Sequence, residues 1–365
     1  MAGKFKYAQT RERLLGLIGT MQPGSALPNR TALAAECGVS RVTLERAISE
    51  LLAQGHLVSK NGSGTYIAKA GKDMEKAAPA AALRGPRDGK TWALMVSNLS
   101  SRIDSGVVSG VESFASQHDI NLMLYNMDNL AKKQDDYLAK IQNNAVSGVI
   151  IIPVIEFFAN LNLIGQLLHD HVSIVACSRP IPGYDLPGVF LNHFHSGFCA
   201  TDHLIAKGCR HIAYISTPWY TTVHNRLDGY MTALAAAGIV ESALPLYLPE
   251  HNLTTVSKSV LKDFFMQHPQ VDGIFLFKDR FAPHVYEVLE QMNRKVGEDI
   301  RIVSCDNSEI CTALSVPLSS MRFPSEQLGK IAAEYLFRLI GGEDPSALPR
   351  RSMLPELIVR RSSGV

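Results

Sequence analysis

At 365 residues, 46% of them hydrophobic and 19% charged, the chain is too long for one ordinary core and has the composition of a folded soluble protein of two or three domains. It contains no apolar run of about eighteen residues, and its first thirty residues lack the apolar block and small-residue cleavage site of a secretory signal, so a cytoplasmic protein without a membrane partner is expected. Six scattered cysteines without a C-x-x-C pair argue against both a disulfide framework and a thiolate zinc site.

The net charge of +2 is unevenly divided: residues 1–72 carry ten Lys/Arg against four Asp/Glu, or +6, which leaves 26 against 30, or −4, for the rest. A small polyanion-binding head on a near-neutral body is the expectation.

In chain order, Leu14, Leu15, Leu17 and Ile18 recur at helical spacing within a first helix from Tyr7 to Thr20, which ends in the turn residues QPGSALPN. Asn29 is placed to cap a second helix through Glu36, Gly38 suits the left-handed position of a tight turn, and Ser40 is placed to cap a third helix to about Gln54. The runs HLVSK and GTYIAK, joined by NGSG, predict a hairpin with a glycine-rich tip. Helix, helix, turn, helix, hairpin is the order of a winged helix-turn-helix, assigned to residues 1–70. The Ala-, Pro-, Gly- and charge-rich stretch up to Gly89 reads as a linker, residues 71–89.

From residue 90 to 365, apolar strands alternate with amphipathic helices. TWALMVS, INLMLYN, GVIIIPV and VSIVACS form one series, and the alternation starts again with GVFLN, HIAYIST, GIFLF and IRIVSCD. Helices are expected near 107–118, 132–143, 196–207, 227–237 and 283–292. Two βα series with continuously apolar strands predict an α/β fold of two parallel-sheet lobes, with a ligand cleft outside the carboxyl ends of the strands.

Across its whole length, the stretch LPNRTALAAECGVSRVTLERAISELLAQGHLVSKNGSGTYIA resembles the GntR-type winged helix, usually LPSERELAEELGVSRTTVREAL followed by a G-x-G-T-F-V-A wing. The resemblance implies double-stranded DNA as partner, with the third helix in a major groove and the wing near phosphates. Arg41 and Thr43 would then face bases. Asn29 and Ser40 would offer helix starts to phosphate oxygens, Arg30 and Lys60 would neutralise backbone charge, and Gly62 and Gly64 would let the wing approach closely. Thr31 stands where the family has a motif arginine, and Glu45, followed by Arg46, replaces its recognition-helix arginine. Glu45 either reads a donor such as cytosine N4 or pairs with a neighbouring arginine.

Residues 90 to about 362 resemble the effector core shared by lactose-repressor-type regulators and periplasmic sugar-binding proteins. The motifs that carry the resemblance include ALMVSNLSSRIDSGVVSGVESFASQHDINLMLYN, VFLNHFHSGFCATDHLIAKGCRHIAYIS, NRLDGYMTALAAAGI and IRIVSCDN. Head and body together resemble the arabinose-repressor branch of the GntR family. Carried over position by position, the resemblance implies effector contacts from Ser97, Ser101 and Asp104 after the first strand, and from Ser178 and Arg179 after the fourth. It adds His224 in place of an arginine, the retained Arg226, Lys278 and Asp279 after GIFLF, Asp306, and Arg322 with Phe323 at a crossover between lobes. Asp306 can also be read as a helix cap and Arg226 as a loop tie. Lys278, Arg322 and Arg179 together would make a cationic cleft suited to an acidic sugar or sugar phosphate.

His169, His171, His193 and His195 invite a metal reading. His193 and His195 would alternate across a strand and no third ligand stands at a suitable spacing, so they are read as helix-start and surface residues, with no cofactor expected. No P-loop, G-x-S-x-G elbow or H-E-x-x-H motif occurs, so no enzyme is expected. The expectation is a homodimeric repressor on a palindromic operator, controlled by a sugar-like effector. The rival is a cytoplasmic solute-binding protein or sugar-modifying enzyme without an operator.

Overall fold

The computed structural model describes residue 10 and residues 13–22, 24–39, 44, 47, 48, 51, 56–60 and 64–67 of the head. Beyond the head it describes residues 89–365 apart from 145, 155–161, 218–220, 249–254 and 365. In the head, residues 13–20 are helical and α1 spans Arg30–Cys37, starting where Asn29 accepts the Leu33 amide on its carbonyl at 2.9 Å. Gly38 holds φ +64° at the turn. Leu44, Ala47, Ile48 and Leu51 are helical and fully buried at spacings of three and four residues, one apolar face of the expected third helix. They share a core with Leu14, Leu33, Leu57 and Ile67.

The wing is an antiparallel pair, β1 (Leu57–Lys60) and β2 (Gly64–Ile67), with Lys60 opposite Gly64. Arg30 donates from Nη2 to Thr65 Oγ1 at 2.8 Å, tying the start of α1 to this hairpin. Thr31, Lys60 and Gly64 are placed by backbone only, in α1, β1 and β2. Ser40, Arg41, Thr43, Glu45, Arg46 and Gly62 lie outside the described residues, as does the linker before Gly89.

The body has two six-stranded sheets. The first runs β13-β7-β6-β5-β3-β4, from β3 (Thr91–Val96), β4 (Asn121–Asn126), β5 (Gly148–Ile151), β6 (Ser173–Ser178), β7 (Gly188–Leu191) and β13 (Arg351–Met353), all parallel. It carries α2 (Arg102–Gln117), α3 (Ala131–Asn143) and α4 (Asn162–His169). The second runs β14-β12-β11-β10-β8-β9, from β8 (Ile212–Ser216), β9 (Leu244–Tyr247), β10 (Gly273–Leu276), β11 (Arg301–Cys305), β12 (Ser319–Arg322) and β14 (Glu356–Ile358). Here β14 is antiparallel to β12 and the other pairs are parallel. Its helices are α5 (His193–Ala206), α6 (Thr221–Ala236), α7 (Thr255–Gln267), α8 (Ala282–Gln291) and α9 (Ile310–Ala313), while α10 (Ser325–Ile340) returns to the first lobe. The central strands are apolar on both faces because helices cover both: Trp92 to Val96 are fully buried.

One strand assignment is corrected. GVFLN does not open the second lobe: β7 pairs in parallel with β6 and closes the first sheet before α5 enters the second. The chain crosses between lobes three times, after Leu191, after Arg322 and between Met353 and Glu356. Two helices also begin earlier than their apolar periodicity. Ser101 caps α2, its side chain accepting from the Asp104 amide, and Asn192 caps α5, accepting from the His195 amide. In both, the first turn is mostly polar, RIDS in α2 and HFHS in α5.

Each lobe has one helix crossing built on facing glycines. In the second, a Cβ at Gly197 on α5 would land on the Arg226 carbonyl oxygen of α6, and one at Gly229 would land on Phe194 O. In the first, Gly110 of α2 meets Glu326 O of α10, and Gly329 meets Val107 O. Among the described residues no helix is long and apolar enough to cross a membrane. Gly197→Ala must push α5 and α6 apart and is expected to cost about 1–3 kcal/mol, as overpacking does elsewhere. Urea unfolding of the purified chain measures this directly, and an unchanged midpoint would show that the crossing widens freely.

Candidate effector-binding site

A cavity of about 490 Å³ opens between the carboxyl ends of the two sheets, a usual size for a small-molecule site. Its first-lobe wall is made by the loop after β3, the first turn of α2 and the turn after β6. The second-lobe wall comes from the start of α5, the first turns of α6, and the loops after β10 and β11.

On the first-lobe side, Arg179 Nη2 donates to Ser97 Oγ at 3.0 Å, and Ser97 donates to Asp104 Oδ2 at 2.5 Å. The Asn98 amide donates to the same oxygen at 2.8 Å, so the 2%-exposed Asp104 ties the strand end to the helix start. Ser178, with φ +65°, makes a tight turn in which the Arg179 amide donates to Cys177 O at 2.7 Å. That turn delivers Arg179 to the cavity, while Ser178 itself is buried behind it.

On the second-lobe side the centre is Arg226, 1% exposed. Its Nη1 donates to Phe277 O, its Nη2 lies 3.2 Å from His193 Nδ1 and 3.7 Å from Asp306 Oδ1, and its guanidinium lies over the rings of Phe277 and Phe323. Arginine can only donate, so His193 Nδ1 must accept and its proton sits on Nε2. Burial, then the charges of Arg226, Arg179 and Lys278, push this imidazole well below its ordinary pKa, which agrees with a neutral ring. Arg226 Nε and Asp306 Oδ1 are buried atoms without a hydrogen-bond partner, on residues that line the cavity.

Asp306 stands at φ +103° and Asn307 at φ +49°, consecutive left-handed residues after β11. Asp279 is 1% exposed and accepts from the Ser308 amide, Ser308 Oγ and Ser320 Oγ at 2.7, 3.0 and 2.7 Å, binding two loops and β12 together. Burial first, and then Asp306, raise its pKa. Lys278 also lines the cavity, its ammonium held below its ordinary pKa chiefly by burial, with Asp306 opposing. Across the mouth Arg102 of the first lobe reaches Glu309 of the second at 2.5 Å.

Of the residues selected from the sequence, Ser97, Ser101, Asp104, Arg179, Arg226, Lys278, Asp279 and Asp306 line the cavity. His224 does not: it is exposed on α6, and a helix residue two positions before Arg226 cannot share its face. Thr222, four positions before it, does. Arg322 is turned to Glu356 at 2.5 Å and borders a neighbouring hollow of about 220 Å³. Phe323, 5% exposed, borders that hollow and packs under Arg226, its ring centroid 5.3 Å from that of His193. His193, read from sequence as a helix-start and surface residue, does open α5 but is 7% exposed and lines the cavity. The signal was available in Asn192, whose cap makes His193 the first residue of α5.

His193 predicts a pH dependence. Its native pKa is depressed, so the unfolded chain binds the proton more readily. Its contribution is complete above the unfolded value of about 6.5 and declines below it, by up to about 1.4 kcal/mol per pH unit until the native pKa is reached. His203, also depressed by burial, adds in the same direction. Urea midpoints of the wild-type protein should fall between about pH 7 and 5, and those of His193→Gln should fall less; parallel curves would mean that His193 takes up its proton in the fold.

Residues 6–67 match the family of bacterial regulatory proteins called gntR, and residues 201–363 match the periplasmic binding protein-like domain. The arabinose metabolism transcriptional repressor of Geobacillus stearothermophilus is 28% identical over 98% of this chain and 97% of its own length. The ribose operon repressor of Haemophilus influenzae is 26% identical over 76% of this chain and 82% of its own. Among solved structures, the transcriptional regulator CelR–cellobiose complex covers 92% of this chain and 100% of its own, at TM-score 0.66 and 25% identity. A periplasmic binding protein/LacI transcriptional regulator from Alkaliphilus metalliredigens, complexed with D-xylulofuranose, covers 75% of this chain and 98% of its own, at TM-score 0.61 and 26% identity.

Proposed function

From a chain that joins a GntR-family N-terminal domain to a periplasmic-binding-protein-like domain, we infer a transcription repressor of sugar-utilisation genes, relieved or reinforced by a sugar or sugar derivative. The observation that carries this reading is the polar cavity between the lobes, where a buried arginine and aspartate keep hydrogen-bonding capacity on a chain that also carries a winged helix. We place the DNA-binding domain at 1–70, the linker at 71–89, and the effector-binding and dimerisation domain at 90–365.

Asp306 accepts two ligand hydroxyls, Arg226 donates to a third group, and Ser97, Ser101, Arg179 and Lys278 complete the polar lining. Asp104 through its Oδ2, and Asp279 through both carboxylate oxygens, hold the loops in place. Closure of the lobes on the ligand re-sets the spacing of two heads in a homodimer, whose half-sites on a palindromic operator lie about one helical turn apart. The outer strands β4 and β9 support the dimer: Leu124 on β4 and Tyr247 on β9 are exposed apolar residues on sheet edges, where proteins usually place charge. A transcription regulator needs no reacting centre, and none of the lining residues is assigned a catalytic role.

Two variants separate the two activities. Arg41→Ala should weaken specific operator binding by about 1–3 kcal/mol and leave effector binding intact; an equal loss on scrambled DNA would make Arg41 a phosphate contact. Asp306→Asn exchanges an acceptor for a donor and should weaken effector binding by about ten- to a hundredfold with DNA binding by the unliganded protein retained. Calorimetry against the effector and fluorescence anisotropy on operator DNA read the two losses separately, and undiminished effector affinity would remove Asp306 from the site.

A further inference from the structure

The first-lobe wall of the cavity contains one more polar residue, Asn129, from the loop that follows β4. Its Oδ1 is a buried atom without a hydrogen-bond partner. Asp306 Oδ1, on a residue of the second-lobe wall, is in the same state. A buried acceptor left without a donor is costly, and in a native structure such an atom calls for a functional explanation.

The backbone around Asn129 accounts for the position of the residue but not for its side chain. Asp128 and Asn129 hold φ +51° and +57°, consecutive left-handed residues, a conformation that asparagine tolerates better than most. The Asn129 amide donates to Ser97 O at 2.6 Å, which fastens the loop to the end of β3, and the Leu130 amide donates to Met127 O at 2.9 Å. Asp128 accepts from Asn126 Nδ2 at 2.7 Å and pairs with Lys133 at 2.5 Å. Backbone and Asp128 hold the turn between them, and glycine would satisfy the same φ. The turn therefore does not require an amide at position 129, and the Asn129 oxygen is left for a donor from outside the chain.

We propose that Asn129 determines specificity from the first lobe, its Oδ1 accepting one hydroxyl of the effector while Asp306 Oδ1 accepts another from the second lobe. The inference rests on the sugar-site reading given above. Two acceptors on different lobes require a ligand with donors on two sides, which a polyhydroxy compound has and a donor-poor one lacks. An analogue without the matching hydroxyl leaves the oxygen unpaired and is rejected for that reason. Both bonds form together only at one separation of the lobes, so the ligand binds that arrangement in preference to others.

The test is calorimetric titration of the full chain with glucose, galactose, arabinose, ribose, xylose and cellobiose, together with thermal unfolding of the ligand-free protein. At least one of these sugars should bind the wild-type chain. Asn129→Gly keeps the left-handed turn and removes only the side chain. The ligand-free variant should therefore melt no lower than wild type, while its affinity for that sugar falls about tenfold or more. Asn129→Asp keeps an acceptor at the same position and should bind within about threefold of wild type. Undiminished affinity in Asn129→Gly overturns the contact and leaves the sugar reading standing. A lower melting temperature of ligand-free Asn129→Gly means that the side chain holds the loop, and overturns its binding role. An Asp variant as weak as the Gly variant overturns the oxygen as the contact. Binding of none of the sugars by the wild-type chain removes the sugar reading and the inference with it.

Discussion

The second-lobe wall of the cavity depends on one buried guanidinium. Arg226 reaches the Phe277 carbonyl at the end of β10, His193 at the start of α5 and Asp306 after β11, and it lies against Phe323 just past β12. Four segments distant in sequence are thereby held by a side chain that can only donate and cannot lose its charge. Breaking a buried pair strands the partner charge at a cost of about 3–5 kcal/mol, so the geometry of Asp306 and the neutrality of His193 follow from Arg226 staying in place. The same pairing that orients Asp306 leaves one of its oxygens without a hydrogen bond.

The first-lobe wall is organised differently. There a serine hydroxyl passes hydrogen bonding from Arg179 to Asp104, and the carboxylate holds strand end and helix start together. Asp279 does similar work in the second lobe with three neutral donors. Both walls thus use buried carboxylates to fix loops, and place cations where a ligand would arrive. Three chain crossings connect the lobes, and the exposed Arg102–Glu309 pair spans the mouth. An exposed pair of this kind contributes only about 0–1 kcal/mol, whereas apolar residues of both lobes, Trp92 and Val96 with Phe275 and Met321 among them, belong to one buried cluster.

Glycine decides how closely the helices that carry the site can approach. Gly197 and Gly229 bring α5 against α6, which sets His193 near Arg226, and Gly110 and Gly329 do the same for α2 and α10. The contact is backbone against backbone, so small side-chain adjustments cannot absorb an added methyl.

Local physics was legible in the residues themselves. The strands were readable because burial on both faces makes them continuously apolar, as TWALMVS and GVIIIPV show, and Gly38 was readable because a turn needed positive φ. Ser97, Arg179, Arg226, Lys278 and Asp306 follow strand ends or open a helix, positions that point at a cleft whatever the sheet order. Sheet membership was not legible: GVFLN looks alike in either lobe, and its pairing with β6 depends on which edge is open after the chain has collapsed. Helix starts at the cavity were misplaced because their first turns, RIDS and HFHS, are mostly polar and carry little periodicity, which also hid the burial of His193. Facing was decided by packing: Thr222 rather than His224 shares the face of Arg226, and Arg322 turns to Glu356, a partner 34 residues away that only the antiparallel return of β14 supplies. Propensity, capping and burial pattern are properties of a few neighbouring residues and survive in sequence, whereas charge pairing and facing are fixed by contacts between segments that meet only in the folded chain.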